Sequence, residues 1–312
     1  MSGNTASTAI QVSGVTRSYR SAMALDGVTV SFAKDQIHGL LGRNGAGKTS
    51  LMSIITAQDW PSAGQVKVLG EVPHENEQVL PKICFVREEQ RYIDDSLAKH
   101  AFRAAAAAFP NWSWDLAQRL IDDFRLPQKT RIKKMSRGQR SAVGVIIGLA
   151  SRAEITFFDE PYMGLDAVAR QLFYDRLLED YAEHPRTIVL SSHLIDEIAH
   201  LIENVVVIDA GRILLDEPVE ELRDRAVTLV GRADAVAELA AGREALQHEE
   251  MGRTVRTTVL GALTDEQRQR VHELDVDVIP VSLQQLIVRL TTRQEAKPDV
   301  NTALTGAGEE LR

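Results

Sequence analysis

The octapeptide Gly42-Arg43-Asn44-Gly45-Ala46-Gly47-Lys48-Thr49 restricts this chain more than any other stretch. It follows the apolar run Ile37-His38-Gly39-Leu40-Leu41 and precedes Ser50-Leu51-Met52-Ser53-Ile54-Ile55, a run with helical character. Strand, glycine-rich loop, helix is the context in which G-x-x-x-x-G-K-[ST] cradles phosphates. The glycines let the backbone curl until successive N–H groups point at one anion. The helix N-terminus adds a favourable partial positive charge. Lys48 can reach β- and γ-phosphates, and the Thr49 hydroxyl can ligate Mg²⁺. With glycine at about 7% of residues, a random chain of this length meets the motif in about one case in a hundred.

The rest of the composition is that of an ordinary globular protein. Of 312 residues, 44% are hydrophobic and 26% charged, enough for one large domain and a small one. The net charge of −8 argues against nucleic acid as the main ligand. The single cysteine, Cys84, lies within Ile83-Cys84-Phe85-Val86 and reads as a small buried hydrophobe, consistent with a reducing compartment. Met1 to Ala9 is small and polar, unlike a secretory signal. No run approaches the roughly 18 apolar residues of a spanning helix. The expectation is a soluble chain unless a partner holds it at a membrane.

Residues 10–41 read as strands, with turn signals at Asp26-Gly27 and Lys34-Asp35. Tyr19 is expected in a loop between strands, flanked by Arg17 and Arg20. It is either a surface aromatic or a flat platform for adenine. Two more strands are expected at Gln65–Gly70 and Lys82–Val86. From Asp94 the pattern turns helical, with six alanines between Ala101 and Ala108, a break at Pro110-Asn111, and helical spacing from Trp112 to Phe124. Both tryptophans of that stretch, Trp112 and Trp114, are expected in the core. Residues 94–135 therefore form a helical insertion between β-rich segments. Met135-Ser136-Arg137-Gly138-Gln139 opens a further helix, where Ser136 is either a plain N-cap or an anion contact.

Ile155-Thr156-Phe157-Phe158 ends in two carboxylates, Asp159 and Glu160. Chemistry in a parallel sheet sits at the carboxyl ends of strands. An aspartate there suits Mg²⁺, and the adjacent glutamate can orient or deprotonate a water. Gly164-Leu165-Asp166 follows in a loop, then a helix over 167–183 and the strand Thr187–Leu190. His193 stands just past that strand, placed to touch a γ-phosphate. Asn204–Asp209 and Arg212–Leu215 read as a hairpin. Beyond Asp224 the order β-α-β-β-α-β-α suggests a small ferredoxin-like domain, with a last helix from Ser282 to Leu290. Residues 292–312 are polar and read as a disordered tail.

Taken together and in this order, these motifs resemble those of an ABC-type ATPase, the ATP-binding subunit of a bacterial, exporter-like ABC transporter. The resemblance covers roughly residues 10–222. It implies an α/β P-loop NTPase cassette over 1–223, with a helical subdomain at about 94–150, followed by the small α+β domain at 224–291. It implies ATP and Mg²⁺ as cofactors, a separately encoded membrane permease, and a second ATPase subunit, identical or closely related. The chain would then lie on the cytoplasmic face of the membrane through the permease. By the same resemblance, Tyr19 is the adenine-stacking aromatic and Gly42 to Ser50 the phosphate site. Glu160 is the catalytic base, His193 the γ-phosphate switch, and Thr49 and Asp159 the Mg²⁺ residues. Ser136, Arg137, Gly138 and Gln139 occupy the signature position, which serves the other subunit's nucleotide, and Asp166 lies in the loop that speaks across the dimer. Two departures stand out: Arg137 and Met135 replace a glycine and a leucine of the signature. The glutamine expected near Mg²⁺ falls at Glu88 in register or at Gln90 two residues later. The alternative is a soluble ABC ATPase acting on a ribosome or nucleic-acid complex, although such proteins usually carry two cassettes or a long coiled coil.

Overall fold

Two kinds of strand dominate the chain, and their burial tells them apart. In the computed structural model, which describes residues 7–20, 22–93, 95–223 and 225–288, contacts divide the chain into Met1–Val219 and Glu220–Arg312. The first unit runs β1 (Thr8–Tyr19), β2 (Ala22–Ala33), β3 (Ile37–Leu41), α1 (Lys48–Ile55), β4 (Ala63–Val68), β5 (Ile83–Val86), α2 (Ala98–Ala108), α3 (Trp114–Asp123), α4 (Arg137–Ala150), β6 (Ile155–Asp159), α5 (Ala167–Glu183), β7 (Thr187–Ser192), α6 (Ile195–Ile198), β8 (Asn204–Asp209) and β9 (Arg212–Pro218). Strands β3, β6 and β7 are buried at every position, as continuous apolar strands of a sheet covered on both faces must be. They lie inside a six-stranded sheet of order β5-β6-β7-β3-β8-β9, parallel except for the edge strand β9.

Strands β1, β2 and β4 instead expose alternate residues and form a separate antiparallel sheet of order β2-β1-β4. Their inward side chains, including Ile10, Val12, Val28 and Phe32, join Leu51, Met52, Ile54 and Ile55 of α1 and Leu40, Phe157 and Val206 of the large sheet in one core. The helix that follows the glycine-rich loop is thereby wedged between the two sheets. Helices α2, α3 and α4 form the helical region. Its ends are well marked: the Ser113 side chain accepts the Leu116 N–H at the start of α3, and Ser136 and Gln139 form a reciprocal capping box at the start of α4.

Several local expectations are corrected here. Asp26-Gly27 does not end a strand. Strand β2 continues through it with one extra residue between Leu25 and Val28, opposite Arg17 and Val15, and β1 restores the register with an extra residue between Val12 and Val15. Tyr19 is the last residue of β1, paired with Ala22, rather than a loop residue, because Arg20 at φ 51° turns the chain tightly into β2. The helical insertion begins at Ala98, and α3 at Trp114 rather than Trp112 because Ser113 caps it. Trp114 is 51% exposed, since the buried stripe of α3 is Leu116, Ala117, Leu120 and Ile121 on another face; Trp112 is half-buried. Asp94 lies outside the described residues.

Helix α7 (Val219–Arg223) leads into β10 (Ala226–Arg232), α8 (Ala233–Ala240), β11 (Ala245–Met251), β12 (Thr254–Leu260), α9 (Asp265–Glu273) and β13 (Asp277–Pro280). The four strands are ordered β11-β12-β10-β13 with every neighbour antiparallel. That is the split β-α-β arrangement of a ferredoxin-like domain. Leu229, Val255 and Val259 of its sheet pack on Val236 and Leu239 of α8 and Val271 of α9, forming a core of its own. Residues 283–288 are helical, with Leu283, Leu286 and Ile287 buried. Leu290 and the tail 292–312 lie outside the described residues.

Candidate nucleotide site

The order of strands in the large sheet assembles the site. Strands β5, β6, β7 and β3 are neighbours and parallel, so the segments leaving their carboxyl ends emerge side by side. Those segments are Arg87 to Arg91, the Asp159-Glu160 pair, Ser192-His193, and the loop Gly42 to Gly47. Register completes the arrangement: Asp159 pairs with Ser191, and Leu41 with Ser192. Residues far apart in sequence thus reach one rim of one sheet.

The loop wraps its own lysine. Lys48 is 6% exposed, and its ammonium donates to the carbonyls of Gly42 at 2.7 Å and Arg43 at 3.3 Å. Gly47, at φ 112°, is the N-cap of α1; a side chain there would meet the Ala24 carbonyl at 2.7 Å. Ala46 is buried and accepts the Gly211 N–H at 3.0 Å, tying the loop to the β8–β9 turn. Arg43, Asn44, Gly45 and Thr49 are exposed, and Ser50 is half-buried on α1. The Thr49 hydroxyl donates to Asp159 Oδ2 at 2.7 Å. Ser191 Oγ donates to Asp159 Oδ1 at 2.7 Å and accepts the Glu160 N–H at 2.9 Å. Two hydroxyls therefore orient the buried Asp159 carboxylate.

Glu160 sits in the left-handed region at φ 49°, a conformation costing a non-glycine residue about 1–3 kcal/mol and common at functional sites. Its side chain is nearly buried. Oε2 accepts from His193 Nδ1 at 2.7 Å and from the Tyr162 hydroxyl. Oε1 lies 3.4 Å from the Lys48 ammonium and accepts no hydrogen bond, because that ammonium is turned to the loop carbonyls. Burial, reinforced by the Glu160 carboxylate, pushes the Tyr162 phenol well above its ordinary range, so it stays protonated and donates. Sequence reasoning missed Tyr162 and the orienting role of Ser191. A tyrosine two residues after a carboxylate carries no signal until the intervening turn is known.

The remaining candidates are less concentrated. Tyr19 is 41% exposed, its ring lies 4.5 Å from the Arg17 guanidinium, and its hydroxyl donates to Asp59 Oδ2 at 2.5 Å. Arg17 also pairs with Asp59 at 2.6 Å, so an ion pair steadies the aromatic ring. Ser136 Oγ accepts the Gln139 N–H at 3.2 Å and Gln139 Oε1 accepts the Ser136 N–H at 3.0 Å, so both side chains cap α4. Gly138 packs so tightly on the Gly164 carbonyl that no side chain fits there. Asp166 caps α5 by accepting the Ala169 N–H at 2.8 Å. Arg137 donates to Glu88 at 2.7 Å. Gln90 Oε1 is turned toward the Arg87 N–H at 3.5 Å. Glu88 and Gln90 both line a cavity of about 610 Å³ that also includes Thr49 and Asp159.

Residues 25–163 match the family model described as ABC transporter. The doxorubicin resistance ATP-binding protein DrrA of Mycobacterium tuberculosis is 30% identical over 226 residues, covering 70% of this chain and 68% of that protein. The daunorubicin/doxorubicin resistance ATP-binding protein DrrA of Streptomyces peucetius is 28% identical over 311 residues, covering 96% of this chain and 92% of its own. Among solved structures, an ATP-binding subunit of an ABC transporter superposes with a TM-score of 0.62 at 22% identity, over 69% of this chain and 92% of that one. Among the described residues no helix is long and apolar enough to cross a membrane. Relatives named as ABC transporter ATP-binding proteins, such as YtrB of Bacillus subtilis, do not favour the alternative of a soluble ATPase on a ribosome or nucleic acid. With a glycine-rich loop and paired carboxylates meeting on one rim of the sheet, and relatives of this extent, the chain belongs to the ABC transporter family as an ATP-binding, ATP-hydrolysing subunit.

Proposed function

We propose that this subunit holds ATP with Mg²⁺ between the loop after β3 and the end of β6, and hydrolyses it with Glu160 as the base. The observation that carries this reading is the meeting of the Thr49 hydroxyl and the Asp159 carboxylate at 2.7 Å, with Lys48 and Glu160 beside them. Hydroxyl and carboxylate oxygens are the hard donors that Mg²⁺ takes, so Thr49 and Asp159 fit the ion. Bound there, it would neutralise charge on the β- and γ-phosphates. Lys48 exchanges its loop carbonyls for phosphate oxygens, Glu160 orients a water and accepts its proton, and His193 faces the γ-phosphate. Tyr19 stacks on adenine. Ser136, Arg137, Gly138, Gln139 and Asp166 serve the second subunit's nucleotide as the pair closes. The helical region at about 94–150 meets the permease on the cytoplasmic face and passes the motion on. Purified full-length chain should turn over ATP with Mg²⁺ and fall to background in EDTA; turnover that survives chelation would remove the reading.

Of Glu88 and Gln90, we assign the ion-facing role to Gln90, because Arg137 already holds the Glu88 carboxylate. Gln90→Ala should raise the Mg²⁺ concentration for half-maximal turnover by about tenfold, the scale of losing an outer-shell partner. Glu88→Ala should move it far less. The opposite order in a Mg²⁺ titration would transfer the role to Glu88.

Residues 224–291 are proposed as a regulatory or dimer-stabilising accessory. Their sequence holds no glycine-rich phosphate loop, and among the described residues no group of His, Cys, Asp or Glu can hold a metal. Truncation after Leu222 should leave a folded cassette with ATP affinity within about threefold of the full chain, a difference of well under 1.4 kcal/mol. Circular dichroism with equilibrium binding of a labelled ATP analogue checks this. A folded fragment that no longer binds would refute the division.

A further inference from the structure

We propose that Tyr162 is a positioning residue for ATP hydrolysis, whose phenol clamps one oxygen of Glu160 and leaves the other facing Lys48. The inference rests on Glu160 being the base. The backbone brings the two side chains together: the Met163 N–H donates to the Glu160 carbonyl at 3.0 Å, closing a turn with Pro161 at its second position. The Leu165 N–H then donates to the Tyr162 carbonyl at 3.0 Å, holding the next step. The ring is 2% exposed, and the Arg170 guanidinium, itself paired with Glu197 at 2.5 Å, lies 5.4 Å from its centre. A side chain so confined has no freedom to swing aside.

Proton accounting assigns its bonds. The phenol has one hydrogen, and the charged Glu160 Oε2 is the strongest acceptor in reach. The phenolic oxygen is then left to accept the His193 backbone N–H at 3.2 Å and the Ser192 hydroxyl at 3.0 Å. His193 Nδ1 lies 3.2 Å from the same oxygen and donates to Glu160 Oε2 at 2.7 Å. Oε2 thus takes two donors and Oε1 takes none. The free lone pairs of the carboxylate are fixed on the side of Lys48, the side from which the phosphates are approached. Without the phenolic hydroxyl the carboxylate loses the bond that selects this rotation.

The test uses the full-length chain with single-turnover and steady-state ATP hydrolysis. Tyr162→Phe keeps the ring and removes one oxygen. We expect kcat to fall by about tenfold or more, as for loss of a hydrogen bond to a charged group, with the KM for ATP unchanged within about twofold. In a Glu160→Gln background the same change should add nothing, because Tyr162 acts through that carboxylate. Ser192→Ala, which removes a donor to the phenolic oxygen, should lower kcat by about threefold with KM unchanged. An unaltered kcat in Tyr162→Phe, or an equal fractional loss in the Glu160→Gln background, would overturn the proposal. Full turnover by Glu160→Gln alone would instead show that the base was misassigned, and the proposal would fall with it.

Discussion

Glu160→Gln is expected to slow ATP turnover by at least ~100-fold, the contribution of a positioned general base, while nucleotide binding persists. The geometry separates the two effects. Glutamine has nearly the shape of glutamate, so its amide can still face Tyr162 and His193, and the substitution opens no new cavity. What disappears is the proton acceptor on the Lys48 side, the Glu160 oxygen that accepts no hydrogen bond. The loop residues proposed to cradle phosphates are untouched. Loss of the negative charge beside Lys48 also removes a repulsion toward the γ-phosphate, so the ATP-bound pair of subunits should be longer-lived. Size-exclusion chromatography with ATP, alongside turnover of the purified chain, reads both effects. Equal turnover by mutant and wild type would show that Glu160 is not the base.

Much of the fold could be read from the sequence because its strongest signals are local. The run Ile155 to Asp159 needs no tertiary information to declare a buried strand, and all five of its residues are buried. The glycine-rich loop names its own flanking elements for the same reason. Alternation and turn residues, with a possible extra strand at Ala245 to Glu249, give the second unit the order β-α-β-β-α-β-α, and β11-β12-β10-β13 is the strand order its β-α-β-β-α-β part commonly adopts. Reading failed where a long-range partner overrode a local signal. Asp26-Gly27 looks like a turn, but pairing with β1 carries β2 through it. Trp114 looks like core, yet the stripe of α3 faces elsewhere. The bonds of Tyr162, Ser191 and Ser192 cannot be read from spacing at all. They exist because β6 and β7 are adjacent and in register, which brings Asp159 beside Ser191 and places the next residues within reach of one another. Packing of α4 on β5, where Gly144 and Gly148 lie against Val86, likewise brings Arg137 and Glu88, each unusual alone, together as a pair.

Lys48→Ala should weaken ATP binding by about 100-fold or more, since hydrogen bonds from a charged group are worth about 1.5–3 kcal/mol each and the ammonium can make more than one. Two physical effects contribute, and they can be separated. The first is the lost attraction between the ammonium and the β- and γ-phosphates. The second is that Glu160, whose Oε1 lies 3.4 Å from that ammonium in a nearly buried setting, is left facing the nucleotide as an uncompensated negative charge. The double variant Lys48→Ala with Glu160→Gln removes the stranded charge. If its affinity for a labelled ATP analogue recovers only partly, the attraction is the larger effect; if it recovers fully, unmasked repulsion accounts for the loss. Lys48→Met, which keeps most of the side-chain volume beneath the loop, guards against local collapse, because the ammonium also donates to the Gly42 and Arg43 carbonyls. Circular dichroism should match wild type in all three. Wild-type affinity in both Lys48→Ala and Lys48→Met would mean that this loop does not hold the phosphates, and the assignment of Gly42 to Thr49 as the nucleotide site would have to be abandoned.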